Sequence, residues 1–102
     1  MQIGDILVSS YGYNCTLVSF YRVKRVTSAS VWLQRLENKW AYDEDGYGQV
    51  GKVLPSERET TEKPIMRRRQ VNQYSKTEYV AISNYEYAYP WNGQAKYYNS
   101  LD

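Results

Sequence analysis

The residues best placed to do chemistry in this chain are aromatic. Tyr85-Glu86-Tyr87-Ala88-Tyr89-Pro90-Trp91 is the densest run, with Tyr97-Tyr98 close behind and a second group at Tyr11-Gly12-Tyr13. Tyr and Trp carry broad, stiff rings with a polar tip, which suits recognition as much as packing. If Tyr85 to Tyr89 form a helical turn, Tyr85 and Tyr89 share a face. If the run is extended, all three tyrosines line one face, and Glu86 and Ala88 line the other. A lid over one end of a barrel would account for the same rings without any ligand.

Arg67-Arg68-Arg69 is the second group. In a strand, alternation sends Arg68 to one side and Arg67 with Arg69 to the other. A planar guanidinium pairs with carboxylate or phosphate and stacks on rings, so Arg67 and Arg69 are candidate contacts to an anion or an acidic partner. A strand edge guarded by charge is the plainer alternative. Asp43-Glu44-Asp45 is the third group, a loop that could mimic phosphate towards a nucleic-acid enzyme.

Two motifs fail on context. Gly46-Tyr47-Gly48-Gln49-Val50-Gly51 has the spacing of a phosphate loop. It follows an acidic run and leads into Lys52-Val53-Leu54-Pro55, where a dinucleotide fold would open a helix. It reads as a turn. Aligning Gly46 with the sixth place of a calcium loop puts Ala41 first and Lys52 twelfth, where carboxylates are needed. No metal site and no cofactor are expected.

Catalysis has little to work with. The 102 residues include twelve tyrosines and three tryptophans but no histidine, the usual proton carrier near neutral pH. Cys15 and the serines therefore lack a histidine base, and the expectation is a protein that is not an enzyme. A lone cysteine cannot form an internal disulfide. No charged-then-apolar leader or long apolar run is present, which points to a soluble, cytoplasmic setting. The net charge of +2 is small, distributed as +3 over residues 1–40, −3 over 41–64 and +2 over 65–102. That balance does not by itself call for nucleic acid or membrane.

The elements that must position these groups are mostly strands. Ile6 to Val8, Thr16 to Val26 and Ser30 to Leu36 are rich in β-branched and aromatic residues, with a hairpin at Thr27-Ser28-Ala29-Ser30. Thr16 to Val26 carries apolar side chains on both parities: Leu17, Tyr21 and Val23 against Val18, Phe20 and Val26. Gln49 to Leu54, Ile65 to Tyr74, Glu78 to Ser83 and a short piece at Ala95 to Tyr98 complete the set. Ser83 or Asn84 could cap one helical turn through Tyr89, stopped by Pro90. Asp43 to Gly48 and Pro55 to Pro64 read as loops. The expectation is one β-rich domain over residues 1–102. It would be a small antiparallel sheet or SH3-like barrel of five to seven short strands, with one helical turn near the C-terminus. Ile82-Ser83-Asn84-Tyr85 resembles the Ser-Asn-Tyr piece near the end of SH3 domains. The proline that precedes that piece and the Ala-Leu-Tyr-Asp-Tyr start are both missing here.

Gly4-Asp5-Ile6, Tyr11-Gly12-Tyr13, Phe20-Tyr21-Arg22-Val23, Met66-Arg67-Arg68-Arg69, the Tyr-Ala-Tyr ending and Trp91-Asn92-Gly93 together resemble small uncharacterised proteins of phages and prophages of Gram-positive bacteria. The resemblance brings no activity and no site. It implies a context in which a small protein binds and blocks host machinery, including bacterial immune systems such as CRISPR. The expected function is thus stoichiometric inhibition of a host protein, with Tyr85, Tyr87, Tyr89 and Trp91 as anchors. Arg67 and Arg69 would be charge partners, and Tyr11 and Tyr13 a further exposed aromatic loop. Two alternatives use the same residues: a nucleic-acid-binding barrel with bases stacked on the rings, or a sponge that sequesters a nucleotide signal in an aromatic pocket.

Overall fold

The computed structural model describes residues 1–101. Nine strands form one antiparallel sheet, and there is no helix among the described residues. They are β1 (Ile6–Tyr11), β2 (Leu17–Val26), β3 (Ser30–Asp43), β4 (Val50–Glu59), β5 (Ile65–Arg68), β6 (Gln70–Val71), β7 (Glu78–Ala81), β8 (Tyr87–Pro90) and β9 (Lys96–Asn99). The order across the sheet is β6-β7-β8-β1-β2-β3-β4-β9, and β5 pairs with the first half of β3. A single bridge between Thr16 and Asn99 draws β9 back to the start of β2.

The double-sided apolar pattern of β2 has a direct consequence. Alternate side chains point to opposite faces, so a strand apolar on both parities must be covered on both. One face packs Leu7, Tyr21, Val23, Val31, Leu33, Val80 and Ala88 into a core flanked by Met1, Ile65 and Ile82. The other packs Val8, Val18, Phe20, Leu36 and Val53, flanked by Ile6, Trp91 and Tyr98. Consecutive residues of one strand therefore belong to different cores.

Three irregularities bend the strands. Val23 pairs with Leu33 but Arg25 with Trp32, leaving Lys24 as the extra residue of a bulge in β2. Trp40 pairs with Val53 and Tyr42 with Lys52, which makes Ala41 the extra residue in β3. Leu36 pairs with Glu59 and Asn38 with Pro55, so the surplus there lies on β4. Each bulge raises the local twist. The third sits at a proline, which has no N–H to give a ladder.

Four expectations need correction. The helical turn through Tyr85 to Tyr89 does not form. Ile82 and Ser83 both donate their amides to the Glu86 carbonyl in a tight turn, and Tyr87 to Pro90 then form β8 between β1 and β7. The physical reason is burial: alternation places Ala88 in the first core at full burial, opposite Ser9 and Val80. The strand count is nine, not five to seven. Ile65 to Tyr74 is also interrupted: β5 ends its pairing with β3 where the Arg69 amide donates to the Ala29 carbonyl, and the two-residue β6 then pairs with β7 instead. Pro55 does not end β4, which continues to Glu59 through the bulge.

Candidate functional site

The aromatic run does not act as one unit, because the turn before β8 sets Tyr85 apart from the residues of the strand. Tyr85 lies in the turn and is exposed, beside a cleft of about 330 Å³ on the first-core side of the sheet. Tyr87 and Tyr89 lie on the opposite side of β8, with 43% and 44% of their surfaces exposed. Trp91 follows the strand and turns inward. Its ring meets Phe20 edge-on at 5.8 Å, and its indole N–H donates to the Gln94 carbonyl at 2.7 Å.

On the outer side of β7 and β8, three tyrosines meet. The rings of Tyr79 and Tyr89 stack at 5.8 Å and those of Tyr79 and Tyr87 meet edge-on at 6.2 Å. The register explains it: Val80 faces Ala88, so Tyr79 stands across from Tyr89. A shallow hollow of about 350 Å³ adjoins the cluster, lined by Val8, Ser10, Tyr87, Tyr89, Asn92 and Lys96.

The cleft on the other side has a polar floor. Glu86 is buried, with 8% of its surface exposed. Ser9 Oγ donates to its Oε2 at 2.5 Å and Tyr21 Oη donates to the same oxygen at 2.8 Å. Burial, and next the bond to Glu86, push the Tyr21 phenol well above its ordinary pKa of 10.0. Oε1 of Glu86 accepts no bond from the described residues. No buried side-chain polar atom among them is both sealed and unbonded, so Oε1 opens to the cleft that Glu86 lines.

Around this floor stand the rings of Tyr11 and Tyr85 and the cations Arg35, Lys63 and Arg67. Tyr11 Oη is held at 3.1 Å from Ser19 Oγ. Arg67 donates Nε to the Ile82 carbonyl at 3.0 Å and Nη1 to the Met66 carbonyl at 2.8 Å, which fixes its guanidinium at the wall. Arg35 pairs with Glu62 at 3.1 Å. Lys63 is exposed and makes no hydrogen bond or ion pair among the described residues.

The remaining sequence candidates separate. Arg69 does not join Arg67. It donates to Glu78 at 2.8 Å and to the Thr27 carbonyl at 2.9 Å, and Glu78 also holds the Met1 ammonium at 2.7 Å. These bonds, that to the ammonium first and that to Arg69 next, hold the Glu78 carboxyl below its usual range. Tyr13 projects from the β1–β2 loop with 88% of its surface exposed, apart from both clusters. In the acidic loop, Asp43 accepts the amides of Asp45 and Gly46, and Asp45 accepts that of Tyr47 at 2.8 Å. Glu44 accepts the Tyr42 hydroxyl at 3.0 Å. The amide bond from Tyr47 is the main cause that lowers the Asp45 pKa. Those carboxylates close the turn in which Gly46 and Gly48 take positive φ. Gly51 belongs to β4 and packs against β3. Among the described residues, no group of three or more His, Cys, Asp or Glu could hold a metal ion.

Sequence reasoning missed Glu86, Tyr21, Ser9 and Tyr79. Glu86 was in view as the alternate parity of the aromatic run. What joins it to Ser9, 77 residues away, is the β1–β8 pairing, which no local pattern announces. Comparison with family models, curated proteins and solved structures finds no match to this chain.

Proposed function

We propose that this chain is a non-enzymatic binding protein that blocks a host factor by stoichiometric contact. The resemblance to small phage and prophage proteins points to a cytoplasmic target in an infected bacterium, a component of an immune system such as CRISPR. The observation that carries the reading is the contiguous ring surface of Tyr79, Tyr87 and Tyr89 beside the hollow that Lys96 lines. Interface hot spots combine aromatic anchors with a cationic rim in this way. Eight of the twelve tyrosines are exposed, far more ring than a core of this size requires. The missing histidine and the deep burial of Ser9 support the non-catalytic part. The isolated Thr16–Asn99 bridge, which brings β9 beside the start of β2, supports an SH3-like reading of that half of the sheet.

Tagged protein mixed with host lysate, with and without nuclease, tests this. The expected result is one protein captured in near-equal amount, resistant to nuclease and lost with the Tyr87→Ser/Tyr89→Ser double variant. Equal capture by the double variant overturns the assignment to this face.

One observation favours nucleic acid as a second reading. Tyr42 pairs with Lys52 and Lys52 with Tyr97, so two exposed rings flank a lysine in a row across β3, β4 and β9. Rings and cations on adjacent strands suit a stacked single strand. Binding of a labelled oligonucleotide that weakens steeply with salt would support it, and no binding at low salt would remove it.

A further inference from the structure

We propose that the cleft over Glu86 binds a mononucleotide, with the base inward and the phosphate at the rim. This site lies on the opposite side of β8 from Tyr87 and Tyr89 and does not depend on the partner-binding reading.

The argument starts from the carboxylate. A buried charged group is costly unless its lone pairs are satisfied. Ser9 and Tyr21 both satisfy Oε2 and leave Oε1 turned to the cleft, where it can only accept. The complementary ligand group is therefore an N–H donor. Beside it, the rings of Tyr11 and Tyr85 offer flat apolar surface for a planar partner.

The rim has the opposite chemistry. Arg35, Lys63 and Arg67 line the same cleft, against Glu62 and Glu86, which leaves the lining with a surplus of positive charge. Lys63 is uncommitted, and Arg67 keeps Nη2 without a bond among the described residues. A ligand that donates N–H at one end, is flat in the middle and carries an anion at the other matches all three zones. A nucleobase with its ribose phosphate has that order. The volume of about 330 Å³ is near the lower limit for small-molecule sites, so it admits one such unit and no chain segment.

Calorimetric titration of the full chain tests the proposal, using AMP, GMP, adenosine, purine riboside 5′-monophosphate, inorganic phosphate and free arginine. AMP or GMP should bind. Purine riboside monophosphate, which has no N–H on its base, should bind about tenfold more weakly, as expected when a buried acceptor is left unpaired. Adenosine, lacking the phosphate, should also be weaker. Glu86→Gln should lose the preference for AMP over purine riboside monophosphate. Lys63→Ala changes only an exposed side chain, so it keeps the test valid if Glu86→Gln does not fold, and it should weaken AMP by several fold. No heat with any nucleotide, equal binding of inorganic phosphate, or tighter binding of arginine than of either nucleotide each overturns the proposal. So does AMP binding that is indifferent to both substitutions.

Discussion

The hydroxyl of Tyr21, in the middle of β2, donates to Oε2 of Glu86, just before β8, across 2.8 Å of buried space. Ser9 of β1 meets the same oxygen at 2.5 Å, so three segments converge on one carboxylate atom. The bond is both a packing element and the device that leaves Oε1 unengaged.

Its first consequence is seen at high pH. The Tyr21 phenol is raised above its ordinary value by burial and by Glu86, so its neutral form is favoured in the fold. A raised pKa contributes stability that is complete below the unfolded value and lost as pH rises through the folded one. Ultraviolet titration should show one tyrosine resisting ionisation above pH 10.0 until the protein unfolds. In Tyr21→Phe that resistant fraction should be absent.

At the acid end, Glu78 is the group to follow. Its carboxyl is lowered by the Met1 ammonium and by Arg69, so it contributes stability above the ordinary value of 4.5. That contribution disappears as pH falls through the depressed folded value. Melting temperatures of the parent and of Glu78→Gln, measured against pH, should differ at neutrality and converge in acid.

Gly51 should not tolerate a side chain. A Cβ there would press on the Tyr42 carbonyl and lie 2.9 Å from Asp43 Cα and 3.1 Å from the Trp40 ring. Two of these are backbone atoms, held close by the bulge at Ala41, and cannot turn aside. Gly51→Ala should cost about 1–3 kcal/mol in denaturant unfolding, the range for overpacking.

Trp91 and Tyr89 should behave differently although they are two residues apart. Trp91 packs edge-on against fully buried Phe20, so Trp91→Ala should destabilise by about 3 kcal/mol. Tyr89 is exposed on the outer face, and Tyr89→Ser should change the melting temperature little while weakening partner capture. The pair of measurements tells anchor from core.

The strands were legible because their composition is unambiguous. Two-sided apolar patterning in Thr16 to Val26 marked a central strand, and the polar run at Thr27 to Ser30 marked its hairpin, which the Thr27 amide closes onto the Ser30 carbonyl. The alternation of Arg67 and Arg69 against Arg68 also holds, since Arg68 alone of the three is exposed and the other two are half-buried. The failures share a cause. At Tyr85 to Tyr89 a local capping signal competed with a ladder offered by β1 and β7, and tertiary pairing prevailed. Pro55 read as a strand end because a bulge that accommodates proline depends on what Asn38 does in the neighbouring strand.

The site was legible in its residue types and not in its grouping. The run through Tyr85 to Trp91 is divided by the turn before β8: Tyr85 borders the cleft, Tyr87 and Tyr89 stand on the outer face, and Trp91 packs against the second core. Glu86 gained its role only from Ser9 and Tyr21, which lie in strands whose neighbours the sequence does not name.

The seam between β1 and β8 also governs timing. β1 to β4 are joined by successive hairpin pairings, but β1 finds its other neighbour only after the chain has travelled some 77 residues. Closing so large a loop is slow, so refolding should show the meander gaining protection from hydrogen exchange before the seam does. The cleft cannot exist until that late zipping is complete.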